Sequence, residues 1–105
     1  MIKIYLDDER ETPSGFIRTY TVEETIDLIK KNNGNIECVS LDNDLGSGLE
    51  EGRKVMDWIE EQAYQNTLIP IRHLIIHTGN SVARELMMKA RFNAWKYWNK
   101  NYYKR

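Results

Sequence analysis

Residues 36–48 read IECVSLDNDLGSG, and the succession of chemistry along them decides the fold. An apolar run, Ile36 to Leu41, ends in Asp42 and Asp44 and passes into a loop that carries Gly46 and Gly48. A short apolar run bounded by turn residues is the pattern of a buried strand. The same design occurs twice more: Ile2 to Leu6 runs into Asp7 and Asp8, and Leu74 to Ile76 runs into His77, Thr78 and Asn80. In a parallel sheet, ligands sit beyond the carboxyl ends of the strands, so three such ends would converge on one crevice. Four carboxylates and an imidazole would face one another there. Acids so close repel unless a cation or shared protons neutralise them, which makes a hard divalent ion the natural guest and a phosphorylated, oxygen-rich molecule the natural ligand.

Outward from these runs the pattern alternates. Phe16 to Tyr20 is a further strand candidate, and Thr21 with Glu24 makes a capping box before Val22, Ile26 and Ile29 repeat at helical spacing until Asn33 and Gly34. A second helix is expected from about Glu50 to Tyr64, with Val55, Ile59 and Ala63 on one face and Gly52 and Met56 beside them. The strand Ile71 to Ile76 precedes a helix that starts near Ser81, with Asn80 or Ser81 as its cap and Val82, Leu86 and Ala90 aligned beneath Ala83 and Met87. Helices between apolar strands imply an α/β domain with a mostly parallel sheet of about four strands. Only about ten residues separate the first two strand candidates, too few for a comfortable helical crossover, so the first crossover helix is expected to be missing.

The 105 residues suit one domain, with 41% apolar and 30% charged residues. Cys38 is alone, which excludes a disulfide framework within one chain. Met1 to Leu6 is too short for a signal peptide and no run approaches the ~20 apolar residues of a membrane span, so a cytoplasmic protein without membrane contact is expected. The net charge of −1 hides an asymmetry: residues 1–88 hold all sixteen acids, and residues 89–105 hold six basic residues and no acid. That basic end, from about residue 91 to 105, is interleaved with Phe92, Trp95, Tyr97, Trp98, Tyr102 and Tyr103. Either it lies on nucleic acid, rings against bases and lysines against phosphates, or it is a last helix that buries Phe92, Trp95 and Trp98 and solvates its lysines.

The order strand, Asp-Asp, strand, Asp, strand, Thr resembles the acidic pocket of signalling receiver domains, in which Asp7 and Asp8 would help hold Mg²⁺, Asp42 would accept phosphate and Thr78 would be the switch hydroxyl. No later strand ends in the lysine that receivers use. "LDND" followed by "IIHTG" also imitates the first motifs of haloacid-dehalogenase-type enzymes, but no acid follows Glu85. A closer match spans nearly the whole chain: "YLDDERETP", "VSLDNDLGSG" and "IIHTGN" resemble the cyclic-phosphate-processing receiver-like family, whose pattern is roughly LDD-x-R-x-x-P, SLDHDLG and H[ST]-x-N. The resemblance implies a small receiver-like, flavodoxin-like three-layer domain acting on cyclic phosphate ends of RNA or related nucleotides. Asp7, Asp8, Arg10, Asp42, Asp44, His77 and Asn80 match its polar positions, while Asn43 stands where the family often has histidine.

On this reading Asp7, Asp8, Asp42 and Asp44 supply a metal site for Mg²⁺ or Mn²⁺. His77, Asp42 and Asp44 are the catalytic candidates, and Arg10, Asn43, Thr78 and Asn80 bind the substrate, a phosphorylated small molecule or an RNA end. A lone aspartate at a strand end usually just caps a turn; two in tandem, with a second pair in "DND", favour a shared site. The expected activity is a metal-assisted phosphoesterase, and the alternative is a module that binds a nucleotide or a protein partner through the same pocket without turnover.

Overall fold

A computed structural model describes residues 1–104. Its elements run β1 (Ile2–Leu6), β2 (Ile17–Thr19), α1 (Val22–Lys31), β3 (Ile36–Leu41), α2 (Arg53–Gln65), β4 (His73–Ile76) and α3 (Ser81–Trp98), followed by a π-helical turn at Asn99–Tyr103. The strands form one sheet in the order β2-β1-β3-β4, and every neighbouring pair is parallel. This is the flavodoxin-like order without a fifth strand. β1 and β2 are parallel although no helix joins them, as the short link between the two runs required.

Side chains alternate across a strand, and here the alternation separates core from site. Ile4 and Leu6, Val39 and Leu41, and Leu74 and Ile76 all join one buried cluster with Val22 and Ile29 of α1, Met56 and Ile59 of α2, and Met87, Ala94 and Trp98 of α3. All three helices therefore cover a single face of the sheet. The opposite face carries Lys3, Tyr5, Cys38, Ser40 and Ile75, and the third layer of the expected three-layer domain is thinned to the β1–β2 loop, with Phe16 edge-on to Tyr5 at 6.0 Å.

The helices end where local chemistry stops them. Thr21 caps α1 through the amide of Glu24, and Asn80 caps α3 through the amide of Ala83. α2 begins at Arg53 rather than near Glu50, because the amide of Gly52 first closes a loop onto the carbonyl of Asn43 at 2.7 Å. β4 begins at His73 rather than Ile71, since its ladder to β3 starts at the pair Cys38–His73.

α3 corrects the expected face. Its buried stripe is Ala83, Met87, Ala90, Ala94 and Trp98, while Val82 and Leu86, one position earlier and so turned about 100° away, are exposed. The same geometry splits the rings expected to pack: Trp98 is buried with its indole N–H on the carbonyl of Leu68, but Phe92 and Trp95 face solvent. Arg105, the last basic residue, lies outside the described residues. Among the described residues no helix is long and apolar enough to cross a membrane.

Candidate functional site

Leu6, Leu41 and Ile76 are partners across three adjacent strands. The ladder continues one step past them, with Asp42 N–H on the Leu6 carbonyl at 3.0 Å and His77 N–H on the Leu41 carbonyl at 2.9 Å. Asp7, Asp42 and His77 thus leave the sheet side by side. Beyond them opens a cleft of about 450 Å³ lined by Asp7, Asp8, Arg10, Asp42, Asp44 and Asn80 among others. Gly46 contributes to its rim at φ 116°, a conformation that disfavours any side chain. Gly52 lets the start of α2 pass close to the backbone of Asp42: a Cβ there would run into the Asp42 carbonyl oxygen.

Asp7 is completely buried and accepts four hydrogen bonds. The amides of Glu9 and Arg10 reach Oδ1 at 2.8 and 2.9 Å, and Arg10 Nη1 and His77 Nε2 both reach Oδ2 at 2.9 Å. Burial alone would push its pKa up, but those amides, the guanidinium and the imidazole hold it at about 2. Since an ionised carboxylate only accepts, Nε2 of His77 carries a proton, and Nδ1 of the neutral ring accepts the Ser40 hydroxyl at 2.7 Å. Tyr5 fixes the ring plane by stacking on it, centroids 4.6 Å apart and planes within 4°. Burial draws the His77 pKa below its ordinary value, opposed by the hydrogen bond to Asp7.

Carboxylate oxygens of Asp7, Asp8 and Asp42 lie within 4.8 Å of one another. Opposite oxygens stand about 4 Å apart around Mg²⁺ and about 5 Å apart around Ca²⁺, so three hard ligands at this spacing fit a divalent cation. Arg10 at present supplies the positive charge, its Nη1 bridging Asp7 Oδ2 at 2.9 Å and Asp42 Oδ2 at 3.5 Å. Half of that side chain is solvent-exposed, so it stands between the acids and solvent.

Other expected site residues fall differently. Asp44 lines the cleft but is outside the three-acid group, its Oδ1 accepting from the side-chain amides of Asn43 at 3.1 Å and Asn80 at 3.5 Å. Asn43 is fully buried and turned from the cleft, its Oδ1 accepting the first amide of α2, Arg53 N–H, at 3.0 Å. Thr78 is also buried, its hydroxyl accepting the Asn80 amide. His77 stands behind Asp7 rather than in the lining.

Three contributors escaped the sequence reading. Ser40 and Tyr5 orient His77, and each lies two residues before a strand-end aspartate, on the same side of the sheet as His77. A lone hydroxyl inside the apolar run IECVSL was the available signal for Ser40. Arg18 of β2 has none, yet it ties down the β1–β2 loop through the carbonyls of Asp7 and Arg10 and the hydroxyl of Thr12, at 2.7, 2.6 and 2.8 Å.

No curated protein and no solved structure gives a significant match to the chain. A family model described as the cyclic-phosphate processing receiver domain matches residues 2–92.

Proposed function

Because the chain belongs to the cyclic-phosphate processing receiver domain family, we propose that it is a metal-assisted phosphoesterase that opens or removes a cyclic phosphate on an RNA end or a nucleotide. The observation that carries this reading is the group Asp7, Asp8 and Asp42, three carboxylates spaced for one divalent ion, two of them bridged by a half-exposed arginine, at a cleft of about 450 Å³. Mg²⁺ or Mn²⁺ held there would supply Lewis-acid polarisation of a phosphoryl oxygen. Arg10, turned outward, pairs its planar fork with the phosphate. Asn80 and Asp44, joined through their side chains at the cleft wall, orient the sugar or phosphate oxygens. Once Asp7 Oδ2 gives up that bond, His77 would pass its Nε2 proton to the departing oxygen while Nδ1 takes up the attacking water's proton through the Ser40 hydroxyl.

The test is turnover against 2′,3′-cyclic nucleotides, cyclic-ended RNA and ADP-ribose cyclic phosphate, with Mg²⁺, Mn²⁺ or chelator. Hydrolysis should require metal, vanish in Asp42→Asn, and fall about 10²–10⁴-fold in His77→Ala. A binding module is the second reading. It is favoured by the engagement of both His77 ring nitrogens and by Asn43, which fills the family's histidine position with a buried helix cap. Tight binding of these nucleotides without turnover under any metal would establish it. An RNA substrate would also draw on the basic end of the chain.

A further inference from the structure

The outer side of α3 leads away from the acidic cleft. The helix starts at Asn80, which lines that cleft, and its 18 residues span about 27 Å. Along it Arg84, Met88, Arg91, Trp95 and Asn99 recur at helical spacing, forming one ridge beside the sheet edge. Arg84 and Arg91 anchor the ridge by donating to the carbonyls of Ile76 and Leu74 in the edge strand β4. At its far end lies a second cleft, of about 370 Å³, lined by Met1, Pro70, Arg72, Trp95, Trp98 and Tyr103 among others, with no acid in its lining among the described residues.

The rings of this surface are open: Phe92 is 64%, Trp95 42% and Tyr103 66% exposed. Such exposure costs hydration free energy and is uncommon for three neighbouring aromatics on a chain this polar. One ring already meets a cation, the Arg91 guanidinium standing 5.1 Å from the Trp95 centroid. Arg72 lines the cleft beside Trp95 and Tyr103, Lys89, Lys96, Lys100 and Lys104 follow along the same end of the chain, and Glu85 is the only acid on α3.

We propose that this ridge and its terminal cleft bind single-stranded nucleic acid, a base entering the cleft to stack on Trp95 and Tyr103 while Arg72 and the lysines meet the phosphates. Flat rings flanked by cations are the common solution for strand binding without sequence preference. A duplex keeps its base faces stacked on one another and offers none to a ring. A second copy of this chain would set basic surface against basic surface, which opposes association. The inference goes beyond the proposed reaction and rests on it only for direction: a strand with its end in the acidic cleft would run along α3.

The experiment is fluorescence anisotropy of a labelled uridine oligoribonucleotide against the full chain at low and moderate salt. The wild type should bind, and Trp95→Ala should weaken binding about tenfold or more while Trp95→Phe keeps most of it. Arg72→Ala should flatten the salt dependence by about 0.7 log units per lost phosphate contact. The oligonucleotide carries no cyclic end and the buffer holds chelator, so strand binding is read separately from turnover. Thermal melts of each variant exclude unfolding as the cause. Absence of wild-type binding at low salt, or equal binding by folded Trp95→Ala, overturns the proposal. So does concentration-dependent dimerisation that Trp95→Ala abolishes in a protein that ignores RNA.

Discussion

Asp7 shows how one residue is made to stay charged while shut away from water. An unpaired buried carboxylate would take up a proton; four donors make ionisation the cheaper state and hold its pKa at about 2. The folded-state pKa is depressed, so the stabilisation is present above the unfolded value near 4 and is lost as pH falls from there toward 2. Its size is about 2 kcal/mol, from a shift of nearly two units at 1.36 kcal/mol each. His77 adds to the same trend from higher pH: its pKa is lowered, so its contribution is present above the unfolded value of about 6.5 and is lost as pH falls from there through the lower folded value. Urea denaturation in chelator from pH 8 to 2 should show both losses. Asp7→Asn should flatten the segment below pH 4, and an unchanged slope there would show that another carboxylate carries it.

At the scale of elements, the loop that replaces the first crossover helix must hold Asp7, Asp8 and Arg10 without helical hydrogen bonds. Arg18 does this from the neighbouring strand, with three short bonds to the loop and its guanidinium 4.9 Å from the Tyr20 ring and 6.0 Å from the Tyr5 ring. Arg18→Met keeps the apolar stem and removes those bonds. It should cost about 1–3 kcal/mol and speed hydrogen exchange at the amides of Glu9 and Arg10, which pair with Asp7. Exchange at the amides of α2, remote from that loop, should change far less. Equal protection of Glu9 and Arg10 in the two proteins would mean the loop holds itself.

For the whole molecule, a ligand bound only by the folded state raises stability by mass action, about 2.7 kcal/mol at a hundred times its dissociation constant. Mg²⁺ or Mn²⁺ should therefore raise the melting temperature, and Asp42→Asn should remove most of that rise. Arg10 now neutralises the same carboxylates. Arg10→Met should accordingly bind the metal several-fold more tightly while weakening any phosphate ligand. Weaker metal binding in that variant would show that the guanidinium organises the acids rather than competing for them.

How much of this was legible beforehand follows from what each signal depends on. Strand ends, helix caps at Thr21 and Asn80, the parallel order and the missing first helix rest on local periodicity and on connection length, and both are written along the chain. The meeting of Asp7, Asp8 and Asp42 was readable for the same reason, since parallel strands must deliver their ends to one edge. Direction was not readable. Whether Asn43 faces a ligand or caps α2, whether His77 lines the cleft or props Asp7, and which side of α3 Phe92 and Trp95 take all depend on how neighbouring elements pack. One residue of rotation on a helix, or one step along a strand, exchanges core for surface, and only the assembled layers select between them.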